Sequence, residues 1–392
     1  MYYKLSDLTI DGKGSYGIAA SAVEYSPNKY TYLRITDIND DGTLNFDGLK
    51  SVDDENAGKY LLKENDIVFA RTGASTGRTY FYQKKDGDFV FAGFLIKYSL
   101  DPNKVNPRFL KYYTHSKIYY DWVHSFDSGA TRGNINAKTF GDMLINLPER
   151  FVQDKIVSTL SNLDDKIAVN KKICENLEAQ AQALFKHWFV DFAPFKDGKF
   201  VESELGLIPE GWRVGNLFDI ASIFDKIRKP LSGKDREYMN KIYPYYGATS
   251  CMDYVDSYLF DGIYTLIGED GSVVKEDGLP YMQYVWGKFW VNNHAHILQG
   301  KNGFSTEMVH VFLSRYNIKH LVTGAVQAKL SQANMQKIML PIPPKDEINK
   351  IRPVIDSLYG KIRNCEGESS RLATLRDTLL PKLMSGELNI SI

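Results

Sequence analysis

Residues 156–188 read IVSTLSNLDDKIAVNKKICENLEAQAQALFKHW, and this stretch decides the fold. Positions 156, 160, 163, 167, 170, 174, 177, 181, 184 and 188 are spaced alternately by four and three residues, and nine of these ten residues are apolar. A seam of this kind, sustained over several heptads, is typical of a coiled coil rather than of an ordinary amphipathic helix. The pattern predicts a long helix whose seam includes Ile156, Leu160, Leu163, Ile167, Leu177 and Leu184.

The same pattern recurs later in the chain at a constant offset of 195 residues. The segment GATRGNINAKTFGDMLINLP at 129–148 lies over GAVQAKLSQANMQKIMLPIP at 324–343, and a second seam follows it. This second seam includes Ile351, Ile355, Leu358, Ile362, Leu372 and Leu379. Such a repeat indicates two similar halves in tandem. The two apolar stripes can bury each other, and we expect the helices to be antiparallel because a whole domain separates them.

The predicted fold class is α+β, with two tandem globular domains, two long antiparallel helices forming a coiled coil, and a pseudo-two-fold internal repeat. The expected boundaries are 1–147 for the first globular domain, 148–190 for the first helix, 191–343 for a linker and the second globular domain, and 344–392 for the second helix and C-terminal tail. Strand-like runs lie at 30–35, 66–70, 89–98, 263–267 and 289–298, and helical stretches near 108–122 and 306–321.

A few positions in the helices break the apolar pattern. Asn170, Ser369 and Arg376 occupy seam positions. They either fix the register of the two helices, at some cost in stability, or mark places where the helices diverge. Pro353 is tolerated in the first turn of a helix, but it should kink the second helix if that helix begins as early as Asp346.

Composition excludes some classes of protein. The 392 residues include 48 Lys and Arg and 48 Asp and Glu, so no broadly basic surface attracts polyanions, although a local basic groove is still possible. No segment approaches the roughly 20 apolar residues that a membrane span requires, and the N-terminus lacks a signal-peptide pattern. Three widely spaced cysteines, Cys174, Cys251 and Cys365, fit a reducing compartment. We therefore expect a cytoplasmic protein that has no contact with membrane.

A search for catalytic motifs yields none that fits. Pro343-Pro344 lacks the context of an amino-methyltransferase loop, and Gly73–Thr79 only approaches a phosphate-binding loop because it is one residue short and carries arginine in place of lysine. His294 and His296 would share one face of a strand, but a hydrogen-bonding pair is a better interpretation than a metal site. The expectation is that the chain has no catalytic residue, no metal and no cofactor of its own.

Several Gly-rich loops carry groups suited to phosphate or base edges, and they occur at matching places in the two halves. The candidates in the first half are Arg34, Thr36, Arg71, Thr72, Ser75, Thr76, Arg78, Arg132 and Asn134. Those in the second half are Lys226, Arg228, Lys229, Tyr245, Tyr246, Thr249, Ser272, Gln327 and Lys329. The alternative, that the glycines only form turns and the charges are solvated, stays open, but the recurrence of the loops weakens it.

Three further segments carry a resemblance to a known family. They are LFKHWF at 184–189, LGLIPEGW at 205–212 and LLPKLMSGEL at 379–388. Together with the repeat they make the whole chain resemble the DNA-specificity (S) subunit of type I restriction–modification systems. The segments at 32–38, 71–78, 244–249 and 291–296 resemble parts of the target-recognition domains of that family.

The resemblance implies that each globular domain reads one half of a split, asymmetric site in double-stranded DNA. It implies that the paired helices set the gap between the half-sites and dock two methyltransferase subunits, and that restriction–translocase subunits join them. S-adenosylmethionine is then expected in the methyltransferase subunits and not in this chain. Because recognition domains vary within the family, the resemblance assigns no base-contacting residue.

Two other functions compete with this interpretation. The chain could be an S-like coiled-coil scaffold that assembles partners without reading DNA sequence. It could also be a free-standing enzyme built on the Gly73–Thr79 loop or the His294 and His296 pair, although no catalytic motif supports that hypothesis. Sequence preference in DNA binding separates the first two hypotheses, and retained nucleotide or metal would indicate the third.

Overall fold

The computed structural model describes residues 1–127, 133–324 and 327–388, which form two compact units. The first unit comprises described residues within 1–168 and 369–388, and the second comprises those within 169–368. The division therefore falls inside the two long helices. Each unit has its own sheets and hydrophobic cores, which are separate from those of the other.

The first unit combines short strands with three short helices and parts of both long helices. Its described strands are Tyr2–Lys4 (β1), Ser15–Tyr16 (β2), Ala22–Glu24 (β3), Tyr30–Leu33 (β4), Lys50–Val52 (β5), Asp66–Ala70 (β6), Thr79–Phe81 (β7), Phe89–Phe91 (β8), Leu95–Ser99 (β9) and Leu144–Asn146 (β10). Its helices are Pro107–Tyr113 (α1), Lys117–His124 (α2), Ala137–Gly141 (α3) and the beginning of Arg150–Phe189 (α4).

Two four-stranded sheets organise this unit. Strands β2, β9, β6 and β7 lie side by side in this order, and each neighbouring pair is antiparallel. Strands β3, β5, β4 and β8 form the other sheet, in which β4 and β8 are parallel. Strand β1 pairs with β10, so the beginning of the chain is joined to the strand that leads into α4.

The second unit has a larger sheet. Its described strands are Phe200–Ser203 (β11), Gly206–Pro209 (β12), Arg213–Asn216 (β13), Ala221–Ile223 (β14), Tyr243–Tyr246 (β15), Cys251–Val255 (β16), Phe260–Gly268 (β17), Met282–Val291 (β18), Ala295–Gly300 (β19) and Met339–Ile342 (β20). Its helices are Leu217–Ile220 (α5), Gly233–Glu237 (α6), Thr306–Leu313 (α7), Gln332–Met335 (α8) and most of Lys345–Ser385 (α9). The sheet order is β14-β19-β17-β18-β15-β16.

The internal repeat is confirmed by topology. Strands β9, β6 and β7 of the first unit correspond to β19, β17 and β18 of the second, in the same order and with the same antiparallel pairing. Helices α3 and α8 begin at residues 137 and 332, and strands β10 and β20 begin at 144 and 339. Both differences equal the offset of 195 found in the sequence.

Within the first unit, the beginning of α4 packs on the end of α9. Leu160 is inaccessible to solvent and shares a core cluster with Ile156 and with Leu383 of α9. The Asp164 carboxylate accepts hydrogen bonds from Lys111 Nζ at 2.9 Å and from Arg376 Nη1 at 3.1 Å. Burial alone would raise the pKa of Asp164, but the charges and hydrogen bonds of these partners lower it. The carboxylate thus ties α4 to α1 and to α9.

Within the second unit, the remaining part of α4 packs on α9 in the opposite direction. Asn170 is buried, and its Nδ2 donates to Glu368 Oε2 at 2.8 Å and to the carbonyl of Cys365 at 3.3 Å. One turn further along α4, the Cys174 thiol lies 3.8 Å from the carbonyl of Ile362. Residue numbers rise on α4 while their partners' numbers fall on α9, so these segments are antiparallel.

Burial of the predicted seam positions varies along the helices. The buried positions are Ile156, Leu160, Leu177, Ile351, Ile355 and Ile362, and the half-buried ones are Leu163, Ile167, Leu184, Leu358, Leu372 and Leu379. At the end of α4 the buried stripe is shifted by one residue relative to the prediction, to Phe185 and Phe189. The reason is an aromatic cluster in which the Phe189 ring lies 5.8 Å from that of Trp212.

Some sequence predictions about secondary structure need correction. The run 89–98 is divided between β8 and β9, which belong to different sheets, and the run 289–298 is divided between β18 and β19. Helix α9 begins at Lys345, so Pro353 lies inside it instead of in its first turn, and the helix continues through this residue.

In the described part of the chain, no helix combines the length and apolar character needed to cross a bilayer.

His310 should make the second unit sensitive to acid. Its Nδ1 lies 2.7 Å from Thr265 Oγ1, and its ring packs near those of Tyr284 and Tyr359. Burial lowers the pKa of His310 to about 4, below the value of about 6.5 in an unfolded chain. As the pH falls, the unfolded chain binds the proton first. The stabilisation is therefore complete above pH 6.5 or so and is lost progressively down to about pH 4.

We expect this histidine to account for up to about 3 kcal/mol of stability lost over that range. Thermal unfolding of the wild type and of His310→Gln, measured at pH 7 and pH 4.5, checks this expectation. Glutamine keeps a hydrogen-bonding group near Thr265 but does not titrate, so the variant should lose less stability on acidification. The matched control is His124→Gln, an exposed histidine of the first unit. Equal acid sensitivity of the wild type and His310→Gln would contradict the assignment.

Candidate nucleic-acid interface

The loop after β6 begins with Arg71, whose backbone is held on both sides. Its N–H donates to the carbonyl of Phe94 at 3.1 Å, and its carbonyl accepts from the N–H of Ile135 at 3.0 Å. The guanidinium lies over two aromatic rings, 5.3 Å from the centre of Tyr16 and 5.9 Å from that of Phe94. Its Nη1 donates to Asn134 Oδ1 at 3.3 Å. These contacts place a cation between two aromatic side chains at the surface.

Tyr16 and Phe94 were not among the residues predicted from the sequence. Tyr16 is 44% exposed and Phe94 is 56% exposed, so both rings can be reached by a ligand of Arg71. Cation–π contacts of this kind are worth about 0.5–1 kcal/mol at exposed sites. The sequence offers only a weak signal for them, because they lie on separate segments and the chain is rich in Tyr and Phe throughout.

The hydroxyl groups of the same loop are less available than the sequence suggested. Ser75 and Thr76 are buried, and Thr76 Oγ1 donates to the carbonyls of Gly73 at 2.8 Å and Gly133 at 3.2 Å. The expectation that these two side chains face a ligand is therefore corrected, because they stabilise the loop from inside. Thr72 is half-buried. Gly77 has φ of +88°, and a Cβ there would lie 2.6 Å from Val123.

The other predicted arginines of the first unit form ion pairs. Arg78 Nε donates to Asp40 Oδ1 at 2.6 Å, and its Nη1 donates to the carbonyl of Ile38 at 3.0 Å. Arg34 donates to both carboxylate oxygens of Asp37, at 3.0 and 2.6 Å. Hydrogen bonding to Asp37 raises the pKa of the Arg34 guanidinium. Both arginines are thus directed to neighbouring carboxylates.

The three remaining first-half candidates are Thr36, Arg132 and Asn134. Thr36 and Asn134 are exposed. Arg132 lies outside the residues that the structure describes. Asn134 contacts the Arg71 loop through its hydrogen bond with the Arg71 guanidinium.

The loop after β17 is the equivalent place in the second unit, and it carries different side chains. The carbonyl of Glu269 accepts from the N–H of Leu330 at 2.8 Å, as the carbonyl of Arg71 accepts from Ile135. Lys329 Nζ lies 3.4 Å from Glu269 Oε1. A lysine beside a glutamate thus stands where the first unit has an asparagine beside an arginine. Glu269 belongs to the segment 268–272 that the sequence indicated, although Ser272 was the residue of that segment predicted to contact DNA.

A buried polar network supports this loop. His296 Nδ1 lies 2.5 Å from Asp225 Oδ2, and His296 Nε2 lies 2.6 Å from the carbonyl of Leu330. Asp225 also accepts from Gln332 Nε2 at 2.6 Å and from the N–H of Ile297 at 3.0 Å. Burial alone would raise the pKa of Asp225, but the hydrogen bond and charge of His296 lower it. Both ring nitrogens of His296 face acceptors, so the ring positions the loop that carries Lys329.

The residues of this network could suggest a metal site, but an arginine already supplies the positive charge. Ligand atoms of Asp225, Glu269 and His296 lie within 4.8 Å of one another. Arg228 Nη1 donates to Glu269 Oε2 at 2.6 Å, and its Nη2 lies 3.5 Å from Asp225 Oδ2. His294 is not part of this group, because it forms its own pair with Asp270. The arrangement is an ion-pair network in which a second cation would have to displace Arg228.

The remaining second-half candidates fall into two groups. The exposed ones are Lys226, Lys229, Thr249, Ser272, Gln327 and Lys329. Tyr246 is half-buried, and the side chain of Arg228 is 13% exposed. Tyr245 is buried, and its hydroxyl accepts from the N–H of Leu231 at 3.0 Å, so the expectation that its ring meets a ligand is corrected. Its ring packs under Arg236, whose guanidinium carbon lies 4.9 Å from the ring centre.

Comparison with known proteins agrees with the two-unit organisation. The type I restriction modification DNA specificity domain matches residues 2–179 and 209–372, once in each half. The MjaIX type I restriction enzyme specificity subunit of Methanocaldococcus jannaschii is 27% identical over 309 residues, which cover 72% of this chain and 69% of that protein. The HindI type I specificity subunit of Haemophilus influenzae is 23% identical, with coverage of 84% and 88%.

Two further comparisons give more limited information, one because it covers a small part of each protein and one because the sequence identity is low. A second H. influenzae relative, named for the same kind of subunit, is 37% identical over 142 residues, and this match spans only 36% of each protein. Among solved structures, the type I restriction–modification S subunit from M. genitalium gives a TM-score of 0.54, covering 98% of this chain and 95% of that chain at 18% identity. At that identity the likeness concerns the fold.

Proposed function

Because this chain belongs to the type I restriction–modification DNA specificity family, with a domain match in each half, we propose that it recognises an asymmetric double-stranded DNA site in two parts. It carries out no catalysis itself. The main support for the proposal is that the two units share the same strand topology but carry different side chains in the equivalent loops after β6 and β17. The first unit presents Arg71 with Asn134, and the second presents Glu269 with Lys329. Two readers that carry different side chains at this loop recognise two different half-sequences.

The long helices act as the spacer between the readers in this proposal. In this proposal, residues 1–147 and 191–343 contain the two target-recognition domains. The spacer helices lie in 148–190 and 344–392. Helix α4 has 40 residues and α9 has 41, which corresponds to about 60 Å each at 1.5 Å per residue. Their antiparallel contacts support a coiled coil. A spacer of that length exceeds one turn of B-DNA, which advances roughly 34–36 Å.

Partner subunits supply the chemistry. Two methyltransferase subunits, which bind S-adenosylmethionine, dock on the helices and flanking segments, and restriction–translocase subunits complete the assembly in the cytoplasm. The balanced charge of the chain, 48 basic against 48 acidic residues, fits this division of labour. A protein without excess positive charge gains little from phosphate attraction by itself. The methyltransferase subunits therefore provide much of the contact with the DNA backbone.

Mapping methylated positions across a genome tests the proposal. In cells that contain the protein with its methyltransferase, we expect one bipartite motif with a fixed gap to be methylated. The same motif should be unmodified in cells that lack the protein, and re-expression should restore it. Methylation that is independent of the protein would contradict the proposal. Assembly with the methyltransferase without any sequence preference in DNA binding would indicate the scaffold function instead.

A further inference from the structure

Arg71 differs from the other candidate arginines that the structure describes. Arg34, Arg78 and Arg228 each form an ion pair with a carboxylate within 2.6 Å. Within residues 1–127, 133–324 and 327–388, no carboxylate forms a salt bridge with Arg71. Its charge is therefore available to a ligand, whereas a ligand of the other three would first have to compete with an aspartate or glutamate.

The structure also fixes the direction of the Arg71 side chain. Its Nε is buried, and its Nη1 donates to Asn134 at 3.3 Å. Tyr16 and Phe94 flank the guanidinium, and both rings are substantially exposed. An arginine that is already ordered loses less conformational entropy on binding than a flexible surface arginine. Arginine beside aromatic rings is also the composition typical of residues that dominate binding energy.

We propose that Arg71 is a base-reading residue of the first half-site and recognises guanine in the major groove, with Tyr16 and Phe94 as positioning residues. This inference rests on the proposed function and deepens it. The planar fork of arginine matches the O6 and N7 acceptors of guanine, which is the commonest specific side-chain contact to a base. A base pair without these two acceptors on one base leaves the fork unsatisfied, and the complex then loses affinity.

Phosphate binding is the competing role for the same cation, and lysine substitution separates the two. Lysine keeps the charge but lacks the planar fork, so it can replace arginine at a phosphate far better than at guanine. For Arg71→Lys we expect discrimination at one position of the first half-site to fall by about tenfold or more, as expected for loss of a bidentate contact. Discrimination at all positions of the second half-site should stay as in the wild type.

The experiment uses the protein in complex with its methyltransferase. Its motif is first determined by genome-wide methylation, and affinities are then measured for a set of duplexes that each change one base pair. The matched control is Arg108→Lys, an exposed arginine on α1 of the same unit that is not among the DNA-contact candidates. Thermal unfolding of each variant establishes that the fold is retained. Unchanged discrimination in Arg71→Lys, or equal loss on every duplex, overturns the inference.

The positioning role of Phe94 has its own test in the same assay. Phe94→Leu removes the aromatic ring and should weaken discrimination at the Arg71 position, whereas Phe94→Tyr retains the ring and should restore it. A purely structural role would instead lower the unfolding temperature without a position-specific effect.

Failure of the inference is distinguishable from failure of the proposed function. A wild-type complex with no sequence preference refutes the function, whereas a wild-type preference that survives Arg71→Lys refutes only the role of Arg71.

Discussion

Replacing Leu160 by aspartate should unfold the first unit. Leu160 is inaccessible to solvent and lies in the core cluster that joins the beginning of α4 to Phe109 of α1 and to Leu383 of α9. Loss of a buried leucine side chain costs about 2–5 kcal/mol, and a carboxylate without a partner in an apolar core adds to that cost. The sum is of the order of the 5–15 kcal/mol that stabilises a typical domain.

The half-buried Leu163 provides the matched control. Leu163→Asp changes the same residue type one turn away, where water still reaches the side chain. We expect Leu163→Asp to lower the unfolding temperature by much less than Leu160→Asp. Calorimetry of the purified protein measures both, and near-ultraviolet circular dichroism reports whether the Tyr-rich core is retained. Equal effects of the two substitutions would show that burial in this cluster does not determine stability.

The same reasoning applies to the second unit. Ile355 is inaccessible to solvent, whereas Leu358 is half-buried. Ile355→Asp should therefore destabilise the second unit far more than Leu358→Asp. Because the two units have separate cores, each substitution at a buried position should lower mainly one unfolding transition. Simultaneous loss of both transitions would indicate that the units do not unfold independently.

Insertion of one heptad into both long helices should lengthen the gap between the half-sites. The division between the units falls between Ala168 and Val169 on α4 and between Glu368 and Ser369 on α9. Insertions at these two points leave the contacts within each unit intact. Seven residues add about 10 Å at 1.5 Å per residue, and they keep the facing side of each helix nearly unchanged.

The expected result in the methylation map is an unchanged pair of half-sequences separated by a longer gap, by up to roughly three base pairs at about 3.4 Å each. The control carries the heptad in α4 alone. In this variant the two helices no longer match in length, so the bipartite motif should be lost rather than lengthened. A double insertion that methylates the original motif with its original gap would refute the spacer role.

Much of the fold could be predicted from the sequence because its signals are local or repetitive. The alternation of four and three residues identified both helices, and the offset of 195 identified the repeat that the equivalent starts of α3 and α8 confirm. The strand runs 89–98 and 289–298 were misjudged as continuous. In each case a short turn, at Gly93 and at 292–294, interrupts an apolar run, and periodicity alone does not reveal such a turn.

The candidate interface was predicted less completely than the fold. The sequence identified the loops, including the Arg71 loop and the loop that contains Glu269. It did not identify Tyr16 and Phe94, and it placed the buried Thr76 and Tyr245 among the ligand-facing residues. Residue type indicates which chemistry a side chain can perform, but its exposure depends on the packing of segments that are far apart in the chain.

The sequence by itself determined the two-part organisation, the long helices and the family, because repeats and heptad periodicity are properties of residue order. Only the tertiary structure decided which arginine is available to a ligand. Arg78 is neutralised by Asp40, which is 38 residues away, and Arg71 meets the ring of Tyr16, which is 55 residues away. Ion pairs and cation–π contacts act over a few ångströms in space, so their partners become known only when the chain has folded.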